Sequence, residues 1–263
     1  MLIEQIYTDN AYRNFNYLIV CRETGEALAV DPLESKLCLD RAKRNGWEVR
    51  HVLNTHEHRD HTGGNDAMVA ATGSKILAHA GARGRIAGID RGLQAGDTIK
   101  VGKTVELEVL DTPGHTMAHV CLLAHGDKPA LICGDTLFNA GAGNCHAGGN
   151  PERLFDTFGD QLARLPDETL VYPGHDYITR NLEFTLDREP DNDAAKRLLA
   201  EVAPQDPHRA RVTTIGLERT INTFFRLGSA SVIAGLRQAF PELGAEPSAR
   251  EVFLRLRELR NKW

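Results

Sequence analysis

The stretch Asn54–Gly64, NTHEHRDHTGG, packs three histidines, a glutamate and an aspartate into one short segment and closes on two glycines. Its working pattern is His56-x-His58-x-Asp60-His61. The segment follows VRHVL, a run of strand character, so alternation sends His56 and His58 the same way, while Asp60 and His61 continue around a loop toward a second point. Glu57 and Arg59 alternate away from that face. Imidazole suits zinc or iron, and a carboxylate adds a hard oxygen that ends on one ion or bridges two. One such loop can feed two metals, but its donors are too few to complete both.

Further donors occur downstream in a recurring setting. His115 ends DTPGH, Asp135 ends ICGD and His175 ends VYPGH. Each follows directly on a glycine after an apolar run, which is how a sheet presents side chains at an edge where backbones approach closely. His51, His79, His119, His125 and His208 lack that setting and read as structural or solvated, with His119 the best placed for a supporting role. A di-iron site of the His-x-Glu-x-Asp kind would need a glutamate where His58 stands, so Glu57 does not support an oxygen-reducing site.

Composition narrows the setting. The chain has 263 residues, 41% hydrophobic and 25% charged, with a formal net charge of −5, which suits an ordinary globular protein and gives no general attraction for nucleic acid. The N-terminal MLIEQIYTDNAYRN carries acid and amide groups where a secretory signal needs a basic start and an apolar stretch, and no window reaches the length of a membrane span. The expectation is a cytoplasmic protein without a membrane partner. Cys21, Cys38, Cys121, Cys133 and Cys145 are scattered and form no C-x-x-C pair, so they read as reduced packing thiols.

Along the chain, IEQIY, NYLIVC and ALAVD predict a meander of strands, and ESKLCLDRAKRN a helix that stops at Asn45-Gly46. Helix and strand signals then alternate. A helix is expected at GGNDAMVAATG, strands at KILAH, over Asp97–His115, at HVCLLAH and at ALICGDTLF, a helix over Pro151–Leu165 and a strand at ETLVYPGH. After Tyr177 the patterns turn mostly helical, at TRNLEFTLDRE, DNDAAKRLLAEVA, SASVIAGLRQAF and SAREVFLRLRELRNKW. This divides the chain into an α+β core over residues 1–177 and a helical segment over residues 178–263.

Taken together, His56-x-His58-x-Asp60-His61, His115, Asp135 and His175 resemble the metallo-β-lactamase superfamily. Within it, THEHRDHTGGN, TPGHT, GDTLFNAG and YPGHDY, followed by a helical segment, resemble the glyoxalase II (hydroxyacylglutathione hydrolase) family over nearly the whole chain. The resemblance implies an αββα sandwich with metals at one edge. It implies two divalent ions, zinc, iron or manganese, one on His56, His58 and His115 and the other on Asp60, His61 and His175, with Asp135 and a hydroxide bridging. Asp60 and Asp135 are thereby the carboxylates of the catalytic centre. The implied reaction is hydrolysis of a small-molecule thioester, S-lactoylglutathione foremost, in a monomer or homo-oligomer.

The resemblance also implies substrate contacts. Tyr177 matches a family tyrosine on the thiol peptide, and Arg257 and Arg260 match positions that bind a substrate carboxylate, three apart and so on one helix face. At two further positions the residues differ from the family: Asn144 stands where the family has a lysine and His146 where it has a tyrosine. A neutral amide cannot replace an ammonium at a carboxylate, and the lost charge-assisted bond costs roughly 1.5–3 kcal/mol. This feature favours a hydrolase of another acyl thioester or a lactone as the alternative. A mononuclear iron persulfide dioxygenase of the same superfamily ranks below it, because that branch lacks the extended helical segment.

Overall fold

The computed structural model describes residues 1–263. Two six-stranded mixed sheets face each other. The first runs β1 (Leu2–Tyr7), β2 (Phe15–Val20), β3 (Glu26–Val30), β4 (Glu48–Asn54), β5 (Lys75–His79), β6 (Ile89–Leu93) in sequential order. The second is built from β7 (Thr98–Val101), β8 (Val105–Asp111), β9 (Val120–Ala124), β10 (Ala130–Gly134), β13 (Leu170–Pro173) and β14 (Thr213–Thr214), in the order β14-β13-β10-β9-β8-β7. A small hairpin pairs β11 (Leu137–Phe138) with β12 (Gly141–Ala142).

Side-chain alternation fills the space between the sheets. Tyr17, Ile19, Leu28, Val30, Leu53 and Leu77 from the first meet Leu107, Val109, Val120, Leu122 and Ile132 from the second in one core cluster. The other faces are covered by helices, so β2, β9 and β10 are buried along their whole length and read as unbroken apolar runs. Helices α1 (Ser35–Asn45), α2 (Arg59–Thr62) and α3 (Asn65–Thr72) belong to the first sheet's side, where Cys38, Ala42 and Met68 join its outer core. On the second sheet, α4 (Pro151–Asp160) packs with the helical segment: α5 (Ile178–Arg188), α6 (Asp193–Val202), α7 (Ile215–Ile221), α8 (Ala230–Ala239) and α9 (Ala249–Lys262). Leu154, Phe158, Phe224, Val232 and Phe253 share a single cluster with Leu131 and Val171 of the sheet. The layers are therefore α, β, β, α, with further helices after Tyr177, as the sequence reading expects.

Local signals act as read at several ends. Gly46 closes α1 in the left-handed region (φ 68°), donating to Ala42 and Lys43 carbonyls. Asn150 caps α4 by accepting from Glu152 and Arg153 N–H, and Ser248 and Glu251 form a reciprocal capping box on α9. Other elements differ from the sequence reading. The α4 helix stops at Asp160, with a separate 3-10 turn at Leu162–Arg164. The strand β6 carries only one buried residue, Leu93, so it has little apolar signal. The segment after Tyr177 is not wholly helical, because β14 pairs with β13 and adds an edge strand to the second sheet.

The candidate metal centre

Strand β4 ends at Asn54, and the histidine loop winds at once into the one-turn helix α2 with His58 at its N-cap. That turn ends the strand alternation. Glu57 does lean away, accepting from Thr116 Oγ1 at 3.0 Å and pairing with Arg85 at 3.2 Å, but Arg59 lines the cleft over the site rather than turning from it. His115 follows β8, Asp135 follows β10 and His175 follows β13, so the loops after four strands converge on one edge of the sandwich.

The seven side chains fall into overlapping groups whose donor atoms lie within 4.8 Å of one another: His56, His58 and His115; His56, His61 and Asp135; Asp60, His61 and His175. His58 Nδ1 sits 3.1 Å from His56 Nε2 and 3.0 Å from His115 Nε2. His61 Nε2 is 3.2 Å from His175 Nε2, and Asp60 Oδ2 lies 3.7 and 3.5 Å from those two nitrogens. Asp135 stands between the groups, with Oδ2 3.5 Å from His115 Nε2 and 3.2 Å from His175 Nε2, and Oδ1 3.4 Å from His61 Nε2.

Proton bookkeeping tells what these atoms can do. His115 Nδ1 faces the Asn144 carbonyl at 2.6 Å, His58 Nε2 the Ala147 carbonyl at 3.0 Å and His175 Nδ1 the Tyr12 carbonyl at 2.7 Å. A carbonyl only accepts, so each of those nitrogens carries the ring proton. His56 Nδ1 faces Thr55 Oγ1 at 3.0 Å, and that hydroxyl donates its own proton to Asp31 Oδ2, so His56 Nδ1 is a donor as well. His61 Nδ1 donates to Asp31 Oδ2 at 3.0 Å. With one proton on each ring, every inward-facing nitrogen is left with a lone pair and no donor to meet it. Asp135 Oδ1 is buried with no well-formed hydrogen bond, its nearest polar neighbour being His61 Nε2 at 3.4 Å. Converging lone pairs beside an orphaned carboxylate oxygen fit cations held between them.

The electrostatics agree. Burial, reinforced by neighbouring histidines, holds His56 and His119 well below the usual imidazole range, and burial takes His115 to about 4 against the pull of Asp135, so these rings are neutral near pH 7. Burial would lower His61 too, but the Asp135 and Asp31 carboxylates outweigh it and raise His61 well above the ordinary value. A proton competes with a cation at that ring. Burial would likewise raise Asp135, yet His175 and His61 hold it well below the carboxylate range.

Two supporting residues stand out. Asp31, which the sequence reading did not single out, accepts from Thr55 N–H, the Thr55 hydroxyl and His61, and so orients a member of each group. Its only sequence signal is an aspartate ending an apolar strand, a pattern shared with many turns. His119 accepts the Asp135 N–H at 3.2 Å and stacks on His56 with ring centroids 5.1 Å apart.

The donors open into a cleft of about 360 Å³, also lined by Arg59, Phe138, Asn144 and Tyr177. Tyr177 lines in addition a neighbouring groove of about 1010 Å³ whose walls include Arg13, Arg180, Arg260 and Trp263. The Tyr177 ring stacks on His175 at 4.9 Å and its hydroxyl donates to the Tyr12 carbonyl. Arg260 donates to Asn181 and lies over the Phe184 and Trp263 rings. The Asn144 side chain accepts from His146 N–H, and the His146 side chain is exposed outside the residues lining the cleft. Arg257, which the resemblance places at a substrate carboxylate, is not among the residues lining the cleft or the groove. It is 4% exposed, and its Nη1 donates to the Ala142 and Gly143 carbonyls at 2.7 and 2.9 Å, beneath the loop that carries Asn144.

This fold, with its ligand groups at one sheet edge, is that of the metallo-beta-lactamase superfamily, which matches residues 20–175 of the chain; the hydroxyacylglutathione hydrolase C-terminus matches residues 176–263. Divalent-metal binding goes with that superfamily and with these clusters. The chain is 65% identical to the hydroxyacylglutathione hydrolase of Polaromonas sp. strain JS666 and 64% identical to that of Nitrosococcus oceani, in each case over 100% of both chains. Among solved structures it is similar to ETHE1 from Myxococcus xanthus, with a TM-score of 0.70 and 26% identity over 99% of this chain and 92% of that one. The chain belongs to the hydroxyacylglutathione hydrolase family of the superfamily. No helix in it is long and apolar enough to cross a membrane.

Proposed function

We propose that the protein is a binuclear metal-dependent hydrolase that cleaves S-(2-hydroxyacyl)glutathione thioesters, S-lactoylglutathione foremost, to the 2-hydroxy acid and glutathione. The carrying observation is the convergence of six donor side chains around a seventh, the buried Asp135 carboxylate, in a cleft open to solvent. His56, His58 and His115 would hold one ion and Asp60, His61 and His175 the other, with Asp135 shared. Zinc, iron and manganese all suit this donor set. When bound, such a pair lowers the pKa of a shared water and neutralises the oxyanion formed at a carbonyl.

The chain's own residues supply the rest. The carbonyls of Asn144, Ala147 and Tyr12, with Asp31, fix the ring orientations, so the donor atoms need no rearrangement. Tyr177 stands at the passage from cleft to groove, where an elongated thiol carrier would lie, and Arg260 offers a cation on the groove wall. Asn144 borders the cleft, and His146 stands two residues further along the same loop. Thiolate departure needs no strong general acid, in keeping with a cleft that presents none beyond the ligand groups. In this reading residues 1–177 form the catalytic unit and residues 178–263 the substrate-binding unit.

A second substrate reading keeps the metals and changes the thiol. Asn144 favours it, because a neutral amide on the cleft wall offers no charge to a carboxylate. The test is an assay of purified, metal-analysed protein against S-lactoylglutathione and a panel of thioesters and lactones that lack the glycine carboxylate. Rapid turnover of S-lactoylglutathione at a low KM supports the first reading. Turnover restricted to the other substrates overturns it.

A further inference from the structure

The loop from residue 8 to residue 14, between β1 and β2, lies against the Asp60, His61 and His175 group, which would hold the second metal. Its main chain is closed on itself, with Thr8 N–H and hydroxyl both donating to the Asn14 carbonyl, and it holds Asp9 and Arg13 in the left-handed region at φ 56° and 59°. Non-glycine residues adopt that conformation at a cost, which other contacts must offset.

Asp9 pairs with His208 at 3.2 Å, away from the site, while the contacts of Tyr12, Arg13 and Asn14 point toward it. The Tyr12 carbonyl accepts from both His175 Nδ1 and the Tyr177 hydroxyl, and Asn14 Nδ2 donates to the Asp60 carbonyl at 3.1 Å. Asp176 N–H donates to the Arg13 carbonyl and Phe15 N–H to the Gly174 carbonyl, at 2.9 and 2.8 Å. The Arg13 guanidinium then closes the arrangement: Nε donates to the Asp176 carbonyl at 2.9 Å and Nη2 to its carboxylate at 2.5 Å, while the group lies over the Tyr7 ring at 5.6 Å. The Asp176 side chain is 6% exposed, and Arg13 is its carboxylate's hydrogen-bond partner. An ordinary surface ion pair contributes little. This one differs because the carboxylate is buried and the arginine engages two acceptors of the same residue, in a fixed fork.

We propose that Arg13 is a positioning residue for the second metal: by clamping Asp176 it keeps the Tyr12 carbonyl on His175 Nδ1, which aims His175 Nε2 at Asp60, His61 and Asp135. The first group is independent of this loop, since His56, His58 and His115 are oriented by Thr55, Ala147 and Asn144. The inference rests on the binuclear reading, and its signature is selectivity between the two ions.

The experiment loads the full chain with two equivalents of zinc, dialyses it against a graded chelator, and measures zinc per chain alongside the thermal midpoint. Arg13→Gln keeps the Cβ and the left-handed backbone but removes the fork. It is expected to release one zinc about tenfold or more faster than wild type, the scale for losing a partner behind a metal ligand, with the other zinc retained. Arg13→Lys, which reaches one acceptor of the two, is expected to fall between. If Arg13→Gln yields no folded protein, Asp176→Asn gives the same readout, with selective loss of one zinc again expected. Wild type holding two ions while the variant releases them at unchanged rates overturns the inference alone, as does parallel loss of both ions tracking a lowered midpoint. Wild type holding fewer than two ions overturns the binuclear reading and this inference with it.

Discussion

Asp31→Asn is the sharpest test of how the centre is held. The Asp31 carboxylate is 3% exposed and accepts from Thr55 N–H at 2.8 Å, the Thr55 hydroxyl at 2.7 Å and His61 Nδ1 at 3.0 Å. Its backbone is left-handed at φ 47°, which asparagine tolerates, so the variant isolates the side-chain chemistry. An amide cannot serve all these donors. With its oxygen toward the backbone N–H, its NH2 meets the Thr55 hydroxyl and the His61 proton; turned over, it meets the Thr55 N–H. In either orientation at least one buried donor loses its acceptor, at about 1–3 kcal/mol, and the bond to His61 loses its charge assistance, roughly halving its strength. Partners behind metal-bound histidines are worth 10–100-fold in metal affinity, or about 1.4–2.7 kcal/mol. The expected result is metal-free protein destabilised by about 1–3 kcal/mol, with affinity for the ion at His61 reduced by that 10–100-fold. Denaturant unfolding of metal-free protein and competitive chelator titration of loaded protein read the two quantities separately. Affinity within twofold of wild type at both ions would refute the claim that Asp31 orients the ligands.

Two further substitutions probe packing and charge. At Gly174 an added Cβ would lie 2.2 Å from Asp135 Oδ1 and 2.9 Å from His61 Cε1, so Gly174→Ala must displace the shared carboxylate well beyond the ~0.2 Å tolerance of metal geometry. Metal content by elemental analysis is expected to fall while the far-ultraviolet circular dichroism stays unchanged; full metal occupancy would contradict the packing argument. Glu218 is wholly buried, and burial raises its carboxyl to about 7 from 4.5 despite hydrogen bonds from Thr213, Asn222 and Ala140. A raised acid pKa favours the folded state below pH 4.5 and withdraws that support as pH rises through 7, a loss of about 3 kcal/mol at 1.36 kcal/mol per unit. Glu218→Gln mimics the protonated form, so between pH 5 and 8 the variant is expected to gain stability relative to wild type as pH rises. Parallel stability profiles for the two proteins would rule the assignment out.

The cluster was legible in the sequence for a physical reason: its members sit at strand ends, and strand ends crowded by one another's side chains need glycine. At Gly134 an added Cβ would meet Thr55 Oγ1 at 2.5 Å and His119 Nε2 at 2.9 Å, and Gly174 is tighter still. The Gly-His and Gly-Asp pairs therefore mark the sheet edge directly. What sequence could not convey depends on distant partners. Asp31 gains its role from His61 and Thr55, and Arg13 from Asp176, 163 positions along the chain. Arg59 faces the cleft because α2 begins where strand alternation would have continued. The short elements β6 and β14 hold too few buried residues to imprint a period of two.

Arg257 shows how the helical segment reaches the chemistry without entering the cleft. Residues 139–143 receive polar side chains from that segment in succession: Asn181 donates to the Asn139 carbonyl, Glu218 accepts the Ala140 N–H, Asn222 donates to the Gly141 carbonyl, and Arg257 donates to the carbonyls of Ala142 and Gly143. Ala140 sits in the left-handed region at φ 57°, a conformation that the Glu218 contact helps to hold. The next residue is Asn144, whose carbonyl fixes His115. The path from the C-terminal helices to His115 therefore runs through one short stretch of main chain, and each contact the helices make with residues 139–143 is a buried polar one that is costly to leave unmade. Burial lowers Arg257 only to about 10, so it stays charged at neutral pH, and its bonds to the two carbonyls remain charge-assisted.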